Sequence, residues 1–177
     1  MIRQAEEKDI AAIAQTYEDL LRYEAAHENH SNWVLGLYPT IEVPQRNVPL
    51  GTMVVLEEAG EICASMVLNR EQAEEYKTVD WYYAANAEDV LVVHTLCVPP
   101  DKAGHGYGTQ MIEYAKQCAM AQGCLAVRID TYAHNEPAKA LYQKLGFRLA
   151  GVGPSLLQGL IPEEMAYLEW KVPQKAE

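Results

Sequence analysis

The sequence is poor in positive charge. Its 177 residues hold 14 Lys and Arg against 25 Asp and Glu, a net charge of −11 with a pI near 4.9. General binding to nucleic acid needs a basic face that displaces phosphate counterions, so no nucleic-acid partner is expected. Docking on anionic lipid is disfavoured for the same reason. A long apolar run is also missing. The longest charge-free stretch, 149–162, contains three Gly and two Pro and is too short to span a bilayer, so no membrane partner is expected. The first nine residues are charged and have no apolar segment of the kind that signal peptides require. The four cysteines, Cys63, Cys97, Cys118 and Cys124, form no C-x-x-C pair and no zinc-type spacing. They read as buried free thiols, which points to a cytoplasmic setting, and no metal site is expected. No repeat, low-complexity tract or linker divides the chain, and its length predicts one domain over 1–177.

What is present follows a regular order. Residues 2–5 predict a strand, followed by a helix with Asp9 as its cap. Its apolar stripe is Ile10, Ile13, Ala14, Tyr17, Leu20 and Leu21, and it ends near residue 26. Residues 27–50, with three prolines, predict an irregular segment with one helical turn. Residues 52–57 and 62–68 are apolar and β-branched, and Glu58-Ala59-Gly60-Glu61 reads as a hairpin turn between them. An acidic stretch, 71–89, precedes 90–98, a nearly continuous apolar run that suits a strand buried on both faces. A helix over 108–122, a strand over 125–131, a helix over 135–145 and strands at 147–152 and 165–172 complete the chain. The fold class is α+β, a mixed and mostly antiparallel sheet of about six or seven strands flanked by helices. The unit from 90 to 131 is βαβ, so its two strands are expected to be parallel.

Two local patterns carry chemistry. The first is the turn that ends in Gly104-His105-Gly106-Tyr107-Gly108. Glycines there let the backbone turn tightly and leave room for a ligand, while the free amides and dipole at a helix start favour an anion. Lys102 and His105 flank it. The glycines alone suit a phosphate cradle and a plain strand-to-helix turn equally. No Gly-Lys-Ser/Thr follows, so it is not a P-loop, and the glycine spacing departs from the dinucleotide fingerprint. The second pattern is Asn135-Glu-Pro-Ala-Lys-Ala-Leu-Tyr142, closed by Gly146-Phe147. Asn135 suits an N-cap and Pro137 a first turn. By spacing alone Tyr142 reads as a core tyrosine.

Together the two patterns resemble the GNAT superfamily, the Gcn5-related N-acetyltransferases. The glycine turn is similar to the family's Q/R-x-x-G-x-G/A motif, with Ala103 at the Q/R position. Asn135, Ala138, Tyr142, Gly146 and Phe147 match N-x-x-A-x-x-x-Y-x-x-x-G-F. The resemblance covers about residues 2–172. It implies acetyl-CoA as cofactor, held where two parallel strands splay apart. Leu96, Cys97 and Val98 would pair with the pantetheine arm. Ala103, Gly104, His105, Gly106, Tyr107, Gly108 and Thr109 would hold the pyrophosphate, with Lys102 or His105 supplying the charge missing at Ala103. Asn135 and Ala138 would flank the thioester. Tyr142 would act as general acid for the leaving thiolate. It also implies direct transfer, so Cys97 reads as core rather than as a nucleophile. Homodimers are expected by analogy with relatives alone.

The base and the acceptor are less specified. His94, on the same strand face as Leu96 and Val98, is either a base or a structural histidine. Asp130 is a second candidate, with Arg128 or a nearby backbone group as its expected partner. Glu24, His27 and His30 read as a solvated surface rather than a metal site. Trp33, Tyr38, Trp81 and Tyr82, with Tyr83, would wall an amine pocket to which Glu71, Glu74, Glu75, Asp80, Glu88 and Asp89 lend negative charge. The alternative is that the rings pack in the core and the acids are solvated. Residues 98–148 are the only net-positive region, and residues 1–97 carry most of the acid. The function implied is acetyl-CoA-dependent transfer to a small-molecule amine. Alternatives are a non-catalytic acyl-CoA sensor, another acyl group, or a protein acceptor.

Overall fold

The computed structural model describes residues 1–174. Among the described residues, seven strands are hydrogen-bonded in the order β1-β2-β3-β4-β5-β7-β6; the pairs β1–β2, β2–β3, β5–β7 and β7–β6 are antiparallel and β4–β5 is parallel. By packing, the chain falls into two compact units, Met1–Leu68 with His94–Met111, and Asn69–Val93 with the chain from Ile112 onward.

The first unit contains β1 (Ile2–Gln4), α1 (Ile10–Ala26), α2 (Glu42–Asn47), β2 (Met53–Glu58) and β3 (Glu61–Asn69). It also holds the end of β4 (Val90–Cys97) and the start of α3 (Tyr107–Ala121). The helical stripe buries Ile13, Tyr17 and Leu21, and the first two pack with Met53, Val55, Val67 and Cys97. Asp9 does not cap α1 as its position suggested. Its carboxylate accepts from the Glu6 amide (2.7 Å) and from Arg3 (2.7 Å), and Arg3 also reaches Glu57 (2.5 Å). The guanidinium therefore claims the group that would have capped the helix. Ala59 and Gly60 both have left-handed φ, so a two-residue turn joins β2 to β3 in the form that matches strand twist.

The second unit contains the first half of β4, most of α3, β5 (Ala126–Tyr132), α4 (Glu136–Lys144), β6 (Arg148–Leu157) and β7 (Ile161–Lys171). The last two strands are longer than their composition predicts, because Gly and Pro are tolerated on an edge strand. β6 pairs only with β7, and Pro154 sits opposite Glu164 in that ladder. The β4–β5 ladder runs from Val90↔Ala126 to Val93↔Ile129 and stops, although both strands continue. β7 sets Glu169 opposite Arg128 and Tyr167 opposite Asp130. No helix among the described residues is long and apolar enough to cross a membrane.

One charged contact organises this unit. Arg128 Nε donates to Glu169 (2.8 Å), Nη1 to the Gln72 side chain (2.8 Å) and Nη2 to the Tyr83 carbonyl (3.2 Å). Its guanidinium also lies over the Trp81 ring at 4.1 Å. Glu169 is fully buried and accepts the Tyr83 amide as well (3.1 Å). Removing the charge of one partner strands the other in the interior, which typically costs 3–5 kcal/mol, whereas replacing both with apolar residues costs far less. Glu169→Gln is therefore expected to lose about 3 kcal/mol in chemical denaturation. The double change Arg128→Met with Glu169→Leu should lose less than the single one.

Candidate functional site

The glycine turn lies in the first unit. A short 3-10 turn over Pro100–Lys102 leads to Ala103, then Gly104 and Gly106 adopt φ of +80° and +77°. A Cβ at either would meet no atom within 4 Å, so glycine is used there for backbone conformation and the space above stays open. The Gln110 amide donates to the Gly106 carbonyl (3.1 Å), while the amides of Tyr107, Gly108 and Thr109 have no acceptor within the helix. Left-handed glycines and unpaired first-turn amides form a cradle that fits an anion. Ala103 offers no charge to it. Lys102 is ion-paired with Glu61 and lies 3.6 Å from Asp101. His105 Nδ1 is 3.1 Å from the Lys102 and Ala103 carbonyls, and its ring stacks on Tyr107, whose hydroxyl donates to Glu58. The groups of this turn that remain to face an anion are therefore its backbone amides.

Along β4 the expected alternation is visible. His94, Leu96 and Val98 are half-buried, while Thr95 and Cys97 are buried. Thr95 breaks the backbone pattern with φ of +50°, an outlier for a β-branched residue. Its hydroxyl is hydrogen-bonded to the Tyr38 hydroxyl, and Tyr38 packs edge-on against Trp33 at 5.9 Å. These contacts tie the irregular 27–50 segment to the end of β4. Cys97 Sγ lies near Thr16, 3.8 Å from its carbonyl, and burial pushes the thiol up to about 12, so it is held protonated. All four cysteines are free thiols. Glu24 accepts from the Ser31 amide (3.2 Å) and hydroxyl (2.5 Å), His27 bonds the Tyr23 carbonyl, and His30 approaches Glu28.

In the second unit, Asn135 caps α4, its side-chain oxygen accepting the Ala138 amide at 3.2 Å. Tyr142 lies one turn beyond Ala138, is buried and faces Phe147 at 6.1 Å. Lys116 fixes the far end of α4 by donating to the Leu145 carbonyl (2.5 Å), its ammonium also lying over Trp170 at 5.0 Å. Burial, reinforced by the nearby charge of Asp130, holds the Tyr142 hydroxyl well above the usual tyrosine range.

Asp130 is half-buried on β5 and does not pair with Arg128. The register gives Arg128 to Glu169 and sets Asp130 opposite Tyr167. No Lys or Arg pairs with Asp130 among the described residues. Burial pushes its carboxyl up to about 6, the charges of Glu163 and Glu75 add to this, and the Tyr76 hydroxyl works the other way. Of the acidic stretch 71–89, Glu75 is the residue that reaches this place, accepting the Ser155 hydroxyl at 3.3 Å. Trp81 donates its indole N–H to the Tyr76 carbonyl (2.9 Å) and packs on Tyr76 and Tyr167. Tyr82 is exposed, donates to the Leu149 carbonyl (2.9 Å) and lies under Arg148 at 3.9 Å. Tyr76, Tyr167 and Glu163 had no local signal in the sequence. Arg128 and Asp130 at alternate positions of an apolar strand were the one clue that a polar cluster faces it.

The family model for GNAT acetyltransferases, described as Acetyltransferase (GNAT) family, matches residues 12–147. A 72-residue stretch, 41% of this chain, is 36% identical to streptothricin acetyltransferase of Escherichia coli and spans 38% of that protein's length. The fold is similar to a GNAT-family acetyltransferase of Listeria monocytogenes (TM-score 0.73, 18% identity, 97% of this chain and 94% of that one). It is also similar to YncA of Salmonella typhimurium, a structure that holds its cofactor acetyl-CoA (TM-score 0.68, 18% identity, 100% and 96%). At these identities the two structures establish the fold.

The environment of Asp130 has a signed consequence for stability. Its carboxyl titrates near 6 when folded and near the ordinary 3.8 when unfolded. Between those values the folded chain holds a proton that the unfolded chain releases, so the penalty is absent below about pH 4 and complete above about pH 6. It amounts to at most about 3 kcal/mol. Asp130→Asn is expected to raise the melting temperature at pH 8 and leave it unchanged at pH 4. Equal shifts at both pH values would refute this account of Asp130.

Proposed function

Because the chain belongs to the GNAT acetyltransferase family, we propose that it is an N-acetyltransferase that moves an acetyl group directly from acetyl-CoA to an amine of a small-molecule acceptor. The observation that carries this reading is the left-handed Gly104–Gly106 turn, with its unpaired amides, placed within the family match. We read 1–177 as one catalytic domain, since that match runs through both compact units. The acetyl donation named for the streptothricin enzyme supports an amine acceptor here without fixing which one. The free thiols support a cytoplasmic setting, and a homodimer is carried by analogy with relatives.

When bound, acetyl-CoA supplies the acetyl group as an activated thioester. The turn from Ala103 to Thr109 would hold its pyrophosphate, the amides at the start of α3 supplying fixed dipoles in place of the absent Gln or Arg side chain, while the Ala103 amide itself donates to the Pro100 carbonyl. The backbone of Leu96, Cys97 and Val98 lies beyond the point where the β4–β5 ladder ends and would hold the pantetheine arm. Asn135 and Ala138 border the thioester at the start of α4. Tyr142 keeps its proton at neutral pH and would be the donor to the leaving thiolate of bound acetyl-CoA. His94 takes the proton that the acceptor amine loses. Trp33 and Tyr38 from one segment, and Trp81 and Tyr82 from another, border the acceptor.

Tyr142→Phe tests the central assignment. Turnover, read as thiol release from acetyl-CoA with an amine panel, should fall about 100-fold. The melting temperature and the KM for acetyl-CoA should stay unchanged, since the ring keeps its packing on Phe147. Unchanged turnover would remove Tyr142 from the acid role.

A further inference from the structure

Among the described residues, Thr95 is the one non-glycine residue inside a strand whose backbone is left-handed. A β-branched side chain disfavours that conformation strongly, so it persists only where the surroundings impose it. Its place gives it a consequence. The β4–β5 ladder ends at Val93↔Ile129, two residues earlier, and Leu96, Cys97 and Val98 follow directly. An extended strand presents its amides in strict alternation, and a left-handed residue breaks that alternation. The backbone of 96–98 is therefore aimed by the conformation at 95. What holds Thr95 is its hydroxyl, bonded to the hydroxyl of Tyr38. Tyr38 is itself fixed. Its amide donates to the Val34 carbonyl (3.0 Å), its carbonyl accepts the Val34 amide (3.1 Å), and its ring meets Trp33 edge-on. The Trp33 amide donates to the Ser31 hydroxyl oxygen (3.1 Å), and that hydroxyl donates to Glu24 of α1. All of these residues except Val93 and Ile129 belong to the first unit.

We propose that Tyr38 is a positioning residue for the cofactor: its hydroxyl holds Thr95 in the left-handed conformation and so aims the backbone of Leu96, Cys97 and Val98 at the pantetheine arm. This inference rests on the acetyltransferase reading and gives Tyr38 a task distinct from bordering the acceptor. Without the hydroxyl pair, Thr95 relaxes toward the extended region that β-branched residues prefer. Acetyl-CoA must then restore the left-handed state, and its apparent affinity falls with the fraction of molecules that hold it. The same bond makes the segment that carries Trp33 and Tyr38 a support of the cofactor strand.

Calorimetric titration of full-length variants with acetyl-CoA tests this. Tyr38→Phe keeps the ring and its contact with Trp33 but loses the hydroxyl, and should weaken acetyl-CoA binding about fivefold. Thr95→Ala loses the other hydroxyl and should weaken binding equally, and the two changes together should do no more than either alone. Thr95→Gly also lacks the hydroxyl but adopts a left-handed backbone without strain, so it should bind about threefold more tightly than Thr95→Ala. Ordinary strand preference runs the other way, since Gly is the poorer residue in a strand, so a merely stabilising role gives the opposite order. Thr95→Ser keeps the hydroxyl and should bind within about twofold of wild type. In thiol-release assays, Tyr38→Phe should raise the KM for acetyl-CoA and leave the acceptor KM within about twofold. Equal affinities of the Ala and Gly variants, or a Tyr38→Phe effect confined to the acceptor KM, overturn the inference while the acetyltransferase reading stands. Wild-type protein that binds no acetyl-CoA overturns both.

Discussion

The buried contact of Arg128 with Glu169 sets the terms for the second unit. A guanidinium in the interior must have its donors satisfied, and here one carboxylate, one amide side chain and one backbone carbonyl do so. Those partners belong to β7 and to the segment that carries Gln72 and Tyr83. The segment has little regular structure of its own, only two short 3-10 turns. Its position is therefore set by the arginine and by Trp81 beneath it. Glu75 and Tyr76 reach Asp130 as a result. A buried ion pair thus ties together the elements that carry the polar cluster.

The first unit solves a different problem. Binding a polyanion usually calls for basic side chains, yet Lys102 is occupied by Glu61 and the position that relatives fill with Gln or Arg is alanine. In the proposed reading backbone amides would take over, beside the left-handed pair of glycines at the head of α3. Such dipoles cannot titrate away, and they require no counter-charge elsewhere in an acidic protein. The segment 98–148 is nonetheless the one region with net positive charge, so the local field supports what the amides begin.

Legibility in the sequence followed the range of the interactions. The glycine turn, the Asn135 cap and the Ala59–Gly60 hairpin are local, and each was readable from a few adjacent residues. The stripe of Ile13, Tyr17 and Leu21 was readable from periodicity. Asp9 misled because its nearest partner in space, Arg3, comes from the preceding strand. Asp130 misled for a related reason. Arg128 is its neighbour on one strand face, but the β5–β7 register gives the arginine to Glu169. The β6–β7 hairpin was underestimated, since Gly and Pro argue against strands in general and are accepted on an edge. Tyr76 and Glu163 were invisible, because nothing short of the assembled register brings them to Asp130.

Thr95 has a bearing on how β4 finds its place. Its left-handed backbone and its hydroxyl bond to Tyr38 occur at a single position in the strand. The run on either side is apolar and nearly featureless, the kind of sequence that offers several similar pairings. A slip by one residue would force His94 or Leu96 into that conformation and leave Tyr38 without its hydroxyl partner. The strained residue therefore works as a notch in an otherwise uniform strand, so that wrong alignments carry a penalty the right one does not.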